Sequence, residues 1–201
     1  MVSLTYSIVA LDLETKALGV AVASGSVAVG SRVPWVRRGV GAIATQAYTN
    51  VMYGKRGLLL LERGYTPERA LLIMLREDPR PDLRQVAILD INGRRVVHTG
   101  KGCPEWKGHY IGEYYVVVGN LLVGPKVLDA VVGVLERKKY DFPELLLRAL
   151  VAGEDYGGDA RGNRWAAIWV EGSVSVRLRI DDSKEPAKKL LGAYLHRFGR
   201  D

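Results

Sequence analysis

The run Thr5-Tyr6-Ser7-Ile8-Val9-Ala10-Leu11 enters a β-rich stretch on hydroxyl residues, turns at residues 12–16, and is followed by a second such stretch at residues 18–23. Two runs rich in Val, Ile and Ala on either side of a short turn pair as neighbouring buried strands. The rest of the chain repeats the pattern. A strand is expected at residues 41–46, a hairpin at 85–90 and 94–99, a strand at 114–119, and a second hairpin at 165–171 and 174–180 through Gly172-Ser173. Asn92-Gly93 is expected to supply the two positive φ angles of a type I′ turn. In the last strand Val174, Val176, Leu178 and Ile180 alternate with Ser175, Arg177 and Arg179, which predicts an inward and an outward face.

Helices are expected in pairs. One covers residues 51–63 and closes at Gly64; the next covers 67–77, with Thr66 as N-cap and Pro67 at the first helical position. A third runs from about 125 to 138 with Val127, Leu128, Val131, Val132 and Leu135 on one face, and a fourth covers 143–152 and ends at Gly153. A terminal helix carries Leu190, Leu191, Tyr194, Leu195 and Phe198. Residues 58–61 and 70–75 are apolar almost all round, which asks for cover on more than one side and points to a homodimer. The order predicts an α+β fold of antiparallel sheets and paired helices, able to stack as a four-layer αββα sandwich, in one domain over residues 1–201.

At 201 residues and 48% hydrophobic, the chain can bury one core without staples. Its net charge of +7 admits an anionic partner. The basic residues are dispersed, however, and Lys184, Lys188, Lys189, Arg197 and Arg200 alternate with an apolar stripe, so they read as a solvated helix face and nucleic acid is not the expected partner. A lone Cys103 excludes an intramolecular disulfide and suits a reducing compartment. No run is long enough for a membrane span and the start lacks a basic region, so the expected setting is cytoplasmic, with no membrane partner. Gln occurs only at Gln46 and Gln85, and Asn only at Asn50, Asn92, Asn120 and Asn163, a scarcity of labile amides that fits a thermophile. His98, His109 and His196 lack metal-ligand spacing, and no phosphate-binding loop or Ser-nucleophile elbow occurs, so neither metal nor cofactor is expected.

Thr5 is the first candidate for chemistry. An N-terminal Thr, Ser or Cys can attack an amide carbonyl while its own free α-amine accepts the hydroxyl proton, which requires the nucleophile to be residue one of the mature chain. Cleavage after Leu4 would be needed here. A purely structural reading of Thr5 is a β-branched residue in a strand. Ser24 ends the second strand, beside a Gly/Ser-rich loop that runs to Ser31, where a hydroxyl and backbone N–H groups can face the same cleft; a strand-end turn is its structural reading. Gln46, Asn50 and Tyr53 lie on a strand end and the first turn of a helix, where amides orient a ligand and helix N–H groups receive an anion, although Asn50 also suits a helix cap. Asp159 and Arg161, in the loop at 154–164, can hold a polar substrate or close on each other as a stiffening ion pair. Cys103 and His109 admit a thiol–imidazole pairing, against which stands a small packed residue in a loop. Asp181-Asp182 is expected to end the last strand and cap the final helix.

Six stretches carry a likeness: Thr5-Tyr6-Ser7-Ile8-Val9-Ala10; Gly19-Val20-Ala21-Val22-Ala23-Ser24; Ala44-Thr45-Gln46-Ala47-Tyr48-Thr49-Asn50 with Tyr53-Gly54; His98-Thr99-Gly100 to Gly108-His109; Gly119-Asn120 with Gly124; and Gly157-Gly158-Asp159-Ala160-Arg161-Gly162. Together they resemble the domain of unknown function 1028 family over nearly the whole chain. The resemblance implies a fold like that of N-terminal-nucleophile (Ntn) hydrolases, with Thr5, Ser24 and Asp159 as catalytic candidates and Gln46, Asn50, Tyr53, His109 and Arg161 as substrate-binding ones. The family carries no established reaction; on this scaffold the expected role is cleavage of a small amide-type bond, and the alternative is a non-catalytic ligand-binding or assembly protein. One stretch departs from the pattern Asp-x-Arg-Gly-x-Gln-Ser-Ala-Ala. This chain has Arg164 and Trp165 where that pattern has an amide and a hydroxyl, so a pocket there would differ in charge and room.

Overall fold

A computed structural model describes the backbone of residues 2–3 and the whole of residues 5–26, 32–137 and 139–199. Leu4, most of the Gly/Ser-rich loop at residues 27–31, and Arg200 lie outside the described residues. The strands are β1 (Val2–Ser3), β2 (Thr5–Leu11), β3 (Leu18–Ser24), β4 (Pro34–Arg37), β5 (Gly41–Tyr48), β6 (Arg84–Asp90), β7 (Arg95–Thr99), β8 (Gly108–Ile111), β9 (Tyr115–Gly119), β10 (Trp165–Glu171) and β11 (Val176–Ile180). The helices are α1 (Met52–Glu62), α2 (Pro67–Glu77), α3 (Lys126–Leu135), α4 (Phe142–Asp155) and α5 (Pro186–Phe198). The α+β mixture of antiparallel sheets is as expected. One sheet has the order β1-β5-β6-β7 with β4 also on β5, and the other has the order β11-β10-β3-β2-β9-β8.

Strand alternation sorts the apolar residues into three clusters. In β2, Tyr6, Ile8 and Ala10 join Val131, Leu146 and Leu190 of α3, α4 and α5. Their neighbours Val9 and Leu11 point the other way, joining Val20 and Val22 of β3 and Ala44, Ala87 and Leu89 of the first sheet. On the far face of that first sheet, Ile43, Val86 and Ile88 meet Tyr53, Leu58, Leu71 and Met74 of α1 and α2. Each fully buried Val, Leu or Ile contributes roughly 1.5–3 kcal/mol, so β2, β3 and β9, buried on both faces, anchor the molecule.

Local signals set most boundaries. Thr66 caps α2, its hydroxyl accepting from Arg69 N at 3.3 Å, with Pro67 leading the helix. Four expectations need correction. The β6–β7 turn has a positive φ at Gly93 (+81°) but not at Asn92, so it is not type I′; Asp90 Oδ1 instead accepts from Asn92 N and Arg94 N. Gly153 lies inside α4 rather than at its end, because a Cβ there would stand 2.6 Å from the Tyr6 ring; the helix stops before Gly157, φ +99°. Val174 precedes β11 and is 49% exposed. Asp181 and Asp182 do not cap α5: Asp181 accepts from the Trp165 indole, Asp182 pairs with Arg164, and Glu154 of α4 receives Ala187 N and Lys188 N at the start of α5.

Candidate functional site

The alternation that sends Val9 and Leu11 between the sheets sends Thr5 and Ser7 there too. Four residues form a row across the second sheet. Asn120 and Thr5 exchange backbone bonds (Thr5 N to Asn120 O, 3.3 Å; Asn120 N to Thr5 O, 3.0 Å), Thr5 is registered with Ser24, and Ser24 with Trp165. All four are 0% exposed. Thr5 Oγ1 donates to Ser24 Oγ at 3.2 Å, which also accepts from Ser26 N at 3.1 Å.

Across the interlayer stand Gln46 and Gln85, register partners on β5 and β6 and both fully buried. Gln46 Nε2 donates to Thr5 O (3.0 Å) and Gln85 Oε1 (2.8 Å), while its Oε1 accepts from Ser7 Oγ (2.6 Å). Gln85 Oε1 also accepts from Asn120 Nδ2 (2.9 Å), and Gln85 Nε2 donates to Gly119 O (2.9 Å) and reaches Thr99 Oγ1 (3.1 Å). Thr99 Oγ1 in turn lies 3.0 Å from His109 Nδ1 at the exposed edge strand β8. A neutral hydrogen-bonded chain therefore links the buried Ser7 to a surface imidazole. Such networks are rigid when satisfied and expensive when broken. Asn120 Oδ1 is the exception, buried with no hydrogen-bond partner among the described residues. Directly after Gln46 and Asn120 come Ala47 (φ +64°) and Leu121 (φ +50°), two non-glycine residues in the left-handed region. That strain is of order 1–3 kcal/mol each and gathers where the surrounding contacts fix the backbone.

Asp159 approaches this row from the α4–β10 loop and is 1% exposed. Its Oδ2 accepts from Gly25 N and Arg161 Nη2, both at 2.8 Å, and its Oδ1 from Arg161 N and Nε, both at 3.0 Å. Arg161 Nη2 also reaches Ser26 Oγ at 3.1 Å. The carboxylate is thus consumed in fastening the residues that follow Ser24, and the geometry is that of the stiffening ion pair rather than of a free base.

Asn50 and Tyr53 part from Gln46. They sit on the helix-covered side of the first sheet, around a cavity of about 180 Å³. Asn50 Oδ1 accepts from Met52 N at 3.0 Å, a helix-entry role, and its Nδ2 reaches Asp78 Oδ2 at 3.3 Å. The Tyr53 hydroxyl is buried without a partner among the described residues, and burial together with the charge of Asp78 pushes its phenol up. Burial opposes the charge on Asp78, yet Arg84 (2.7 and 3.0 Å), Arg80 N and Asn50 outweigh it and hold the carboxyl well below the usual range. A carboxyl depressed by folding adds stability that is fully present above its unfolded value near pH 4 and is lost as pH falls below it. Asp78→Asn is therefore expected to lower unfolding free energy by about 2 kcal/mol at pH 7, with the gap to wild type closing in urea titrations as pH falls from about 4 to 2. A gap independent of pH would refute the assignment. Cys103 and His109 do not meet: the thiol donates to Arg84 O at 3.3 Å and burial pushes it up, while His109 is engaged with Thr99.

Ser7, Gln85, Thr99 and Asn120 belong to the site although no chemistry is expected of them from the sequence; Ser7, Thr99 and Asn120 lie within the stretches that carry the family likeness. The available signal was an amide within an apolar strand, as in Gln85-Val86-Ala87-Ile88-Leu89. Among the described residues, no group of three or more His, Cys, Asp or Glu could hold a metal ion, and no helix is long and apolar enough to cross a membrane.

Residues 5–190 match the family described as "Family of unknown function (DUF1028)", and the chain belongs to it. The crystal structure of protein SPO2555 from Silicibacter pomeroyi, of the same family, superposes with a TM-score of 0.90 at 32% identity, over 99% of this chain and 91% of that one. Anbu (ancestral beta-subunit) from Yersinia bercovieri aligns over 96% of this chain and 94% of its own with a TM-score of 0.40 and 12% identity. No curated protein matches the chain.

Proposed function

We propose that the chain is the latent form of a small amide-bond hydrolase, built as a four-layer αββα sandwich of the Ntn-hydrolase kind, with Thr5 as nucleophile once residues 1–4 are removed. The observation that carries the reading is the Thr5 hydroxyl in hydrogen-bond contact with Ser24, at the paired ends of β2 and β3 and inside a polar layer between two sheets. In the intact chain Thr5 N is an amide already bonded to Asn120 O and cannot take a proton. As a free amine it could. Thr5 Oγ1 would then bond to the substrate carbonyl carbon as its proton passes to the α-amine; the C–N bond breaks, the leaving amine takes that proton, and water hydrolyses the ester to release the acid and restore the hydroxyl. Asn120 Oδ1 stands on the residue paired with Thr5 as an unused acceptor for the new amine. Gln46 positions the Thr5 carbonyl, and Asp159 with Arg161 positions the strand end at Ser24.

A non-catalytic ligand-binding protein is the second reading, favoured by the complete burial of Thr5 in the intact chain. The same proposal keeps a cytoplasmic setting, a thermophilic source and a homodimer, for which Leu59 and Leu72, each 40% exposed on α1 and α2, supply apolar surface. A protein beginning at Thr5 is expected to cleave simple amides or γ-glutamyl compounds, with the full-length chain and Thr5→Ala in the shortened chain both slower by roughly 10³-fold or more. Equal turnover by the full-length and shortened proteins, or turnover that survives Thr5→Ala, overturns the mechanism. An inert shortened protein that is folded selects the binding reading.

A further inference from the structure

A cavity of about 530 Å³ lies at the opposite end of β2 from Thr5. The β2–β3 turn, the β10–β11 turn, the start of α4 and Tyr194 of α5 enclose it. Its volume falls in the range that holds a small organic ligand. Its chemistry is one-sided. Tyr114, Tyr140, Phe142 and Tyr194 supply aromatic wall, Asp12, Glu14 and Asp141 supply carboxylates, and among the described residues no Lys or Arg lines it, although the whole chain carries a net charge of +7.

Among the described residues, two of the carboxylates are held in place by neutral donors rather than by cations. Asp12 accepts from Glu14 N at 3.1 Å and from the Thr15 hydroxyl. Asp141 caps α4 by accepting from Glu144 N at 3.0 Å, and Tyr194 OH donates to it at 3.2 Å. These bonds orient both groups without neutralising them. Glu14 is exposed at the turn. Beside the aromatic wall, Arg148 is stacked on Tyr140 at 4.3 Å and paired with Glu144 at 2.6 Å. The carboxylates are also not grouped tightly enough for a metal ion, which leaves room for a bulkier charge with an apolar body. Aromatic faces and carboxylates in one half-enclosed space recognise that combination.

We propose that this cavity binds an organic cation, an aliphatic amine or guanidinium carried on an apolar chain, at a site separate from Thr5. The test is isothermal titration of the full-length protein with spermidine and agmatine, with glutamate as the anionic control. Saturable one-site binding at sub-millimolar concentration is expected, weakening with added salt. Asp141→Asn keeps a good helix cap and Glu14→Gln changes an exposed side chain, so both variants should fold, and each is expected to weaken binding at least about fivefold. Thr5→Ala is expected to leave it unchanged, which separates this site from the proposed hydrolase centre. Absence of saturable binding by the folded wild type, equal uptake of glutamate, or affinity unaltered in both acidic-site variants would overturn the proposal.

Discussion

Replacing Gln85 with alanine is expected to lower the free energy of unfolding by about 3–5 kcal/mol, a large share of the roughly 5–15 kcal/mol of a whole domain. The amide is the hub of the interlayer network. Its oxygen accepts hydrogen bonds from Gln46 and Asn120, and its nitrogen donates to Gly119 O and Thr99. Truncation deprives the Asn120 amide of its acceptor and Gly119 O of a donor in a layer with 0% exposure, and leaves a void the facing strands are too well packed to fill. Thr99→Val, on a half-buried strand at the margin of the same network, should cost about 1 kcal/mol or less. Denaturant unfolding of both variants checks the contrast. Similar small losses would mean that water enters the layer and the network is not dry.

Trp165→Ser should destabilise the fold by about 4 kcal/mol and open space beside Ser24. Trp165 is fully buried among Val22, Val33 and Ala167, registered with Ser24, and its Nε1–H donates to Asp181 Oδ1 at 3.0 Å. An indole removed from a close-packed layer leaves a cavity of its own shape, so free indole added to the variant is expected to recover part of the lost stability in thermal melts, by occupying it. A loss below about 1 kcal/mol, or no recovery with indole, would show that the side chain does not plug the layer.

What could be read from the sequence follows the range of the physics involved. α2 was expected at its observed bounds because Thr66 and Pro67 act within one turn. The Asp159–Arg161 pair, two residues apart, was equally legible as a local ion pair. β4 and β8 escaped notice: Pro34-Trp35-Val36-Arg37 opens on a residue without an N–H, and Gly108–Ile111 is an edge strand with no buried side to impose alternation. Gln46, Asn50 and Tyr53 read as one group because they are close in sequence. The positive φ at Ala47 breaks the strand's alternation between them, leaving Gln46 between the sheets and the other two against the helices. Gln85 joined the site only through the β5–β6 register, across a separation of 39 residues, which no local pattern encodes.

Val2 and Ser3 lie in one sheet and Thr5 in the other. Val2 and Ser3 ladder onto Tyr48 and Ala47 of β5, whereas Thr5 opens β2 in the facing sheet. Excision at Thr5 would therefore do more than create an amine. It would cut a tether between the two sheets and leave a bare berth on β5, two residues long, at Ala47 and Tyr48 beside Gln46. Unpaired strand edges accept extended peptides. The segment released by that cleavage is the first such peptide at hand, so a maturing molecule would carry its own competitor until dilution clears the berth.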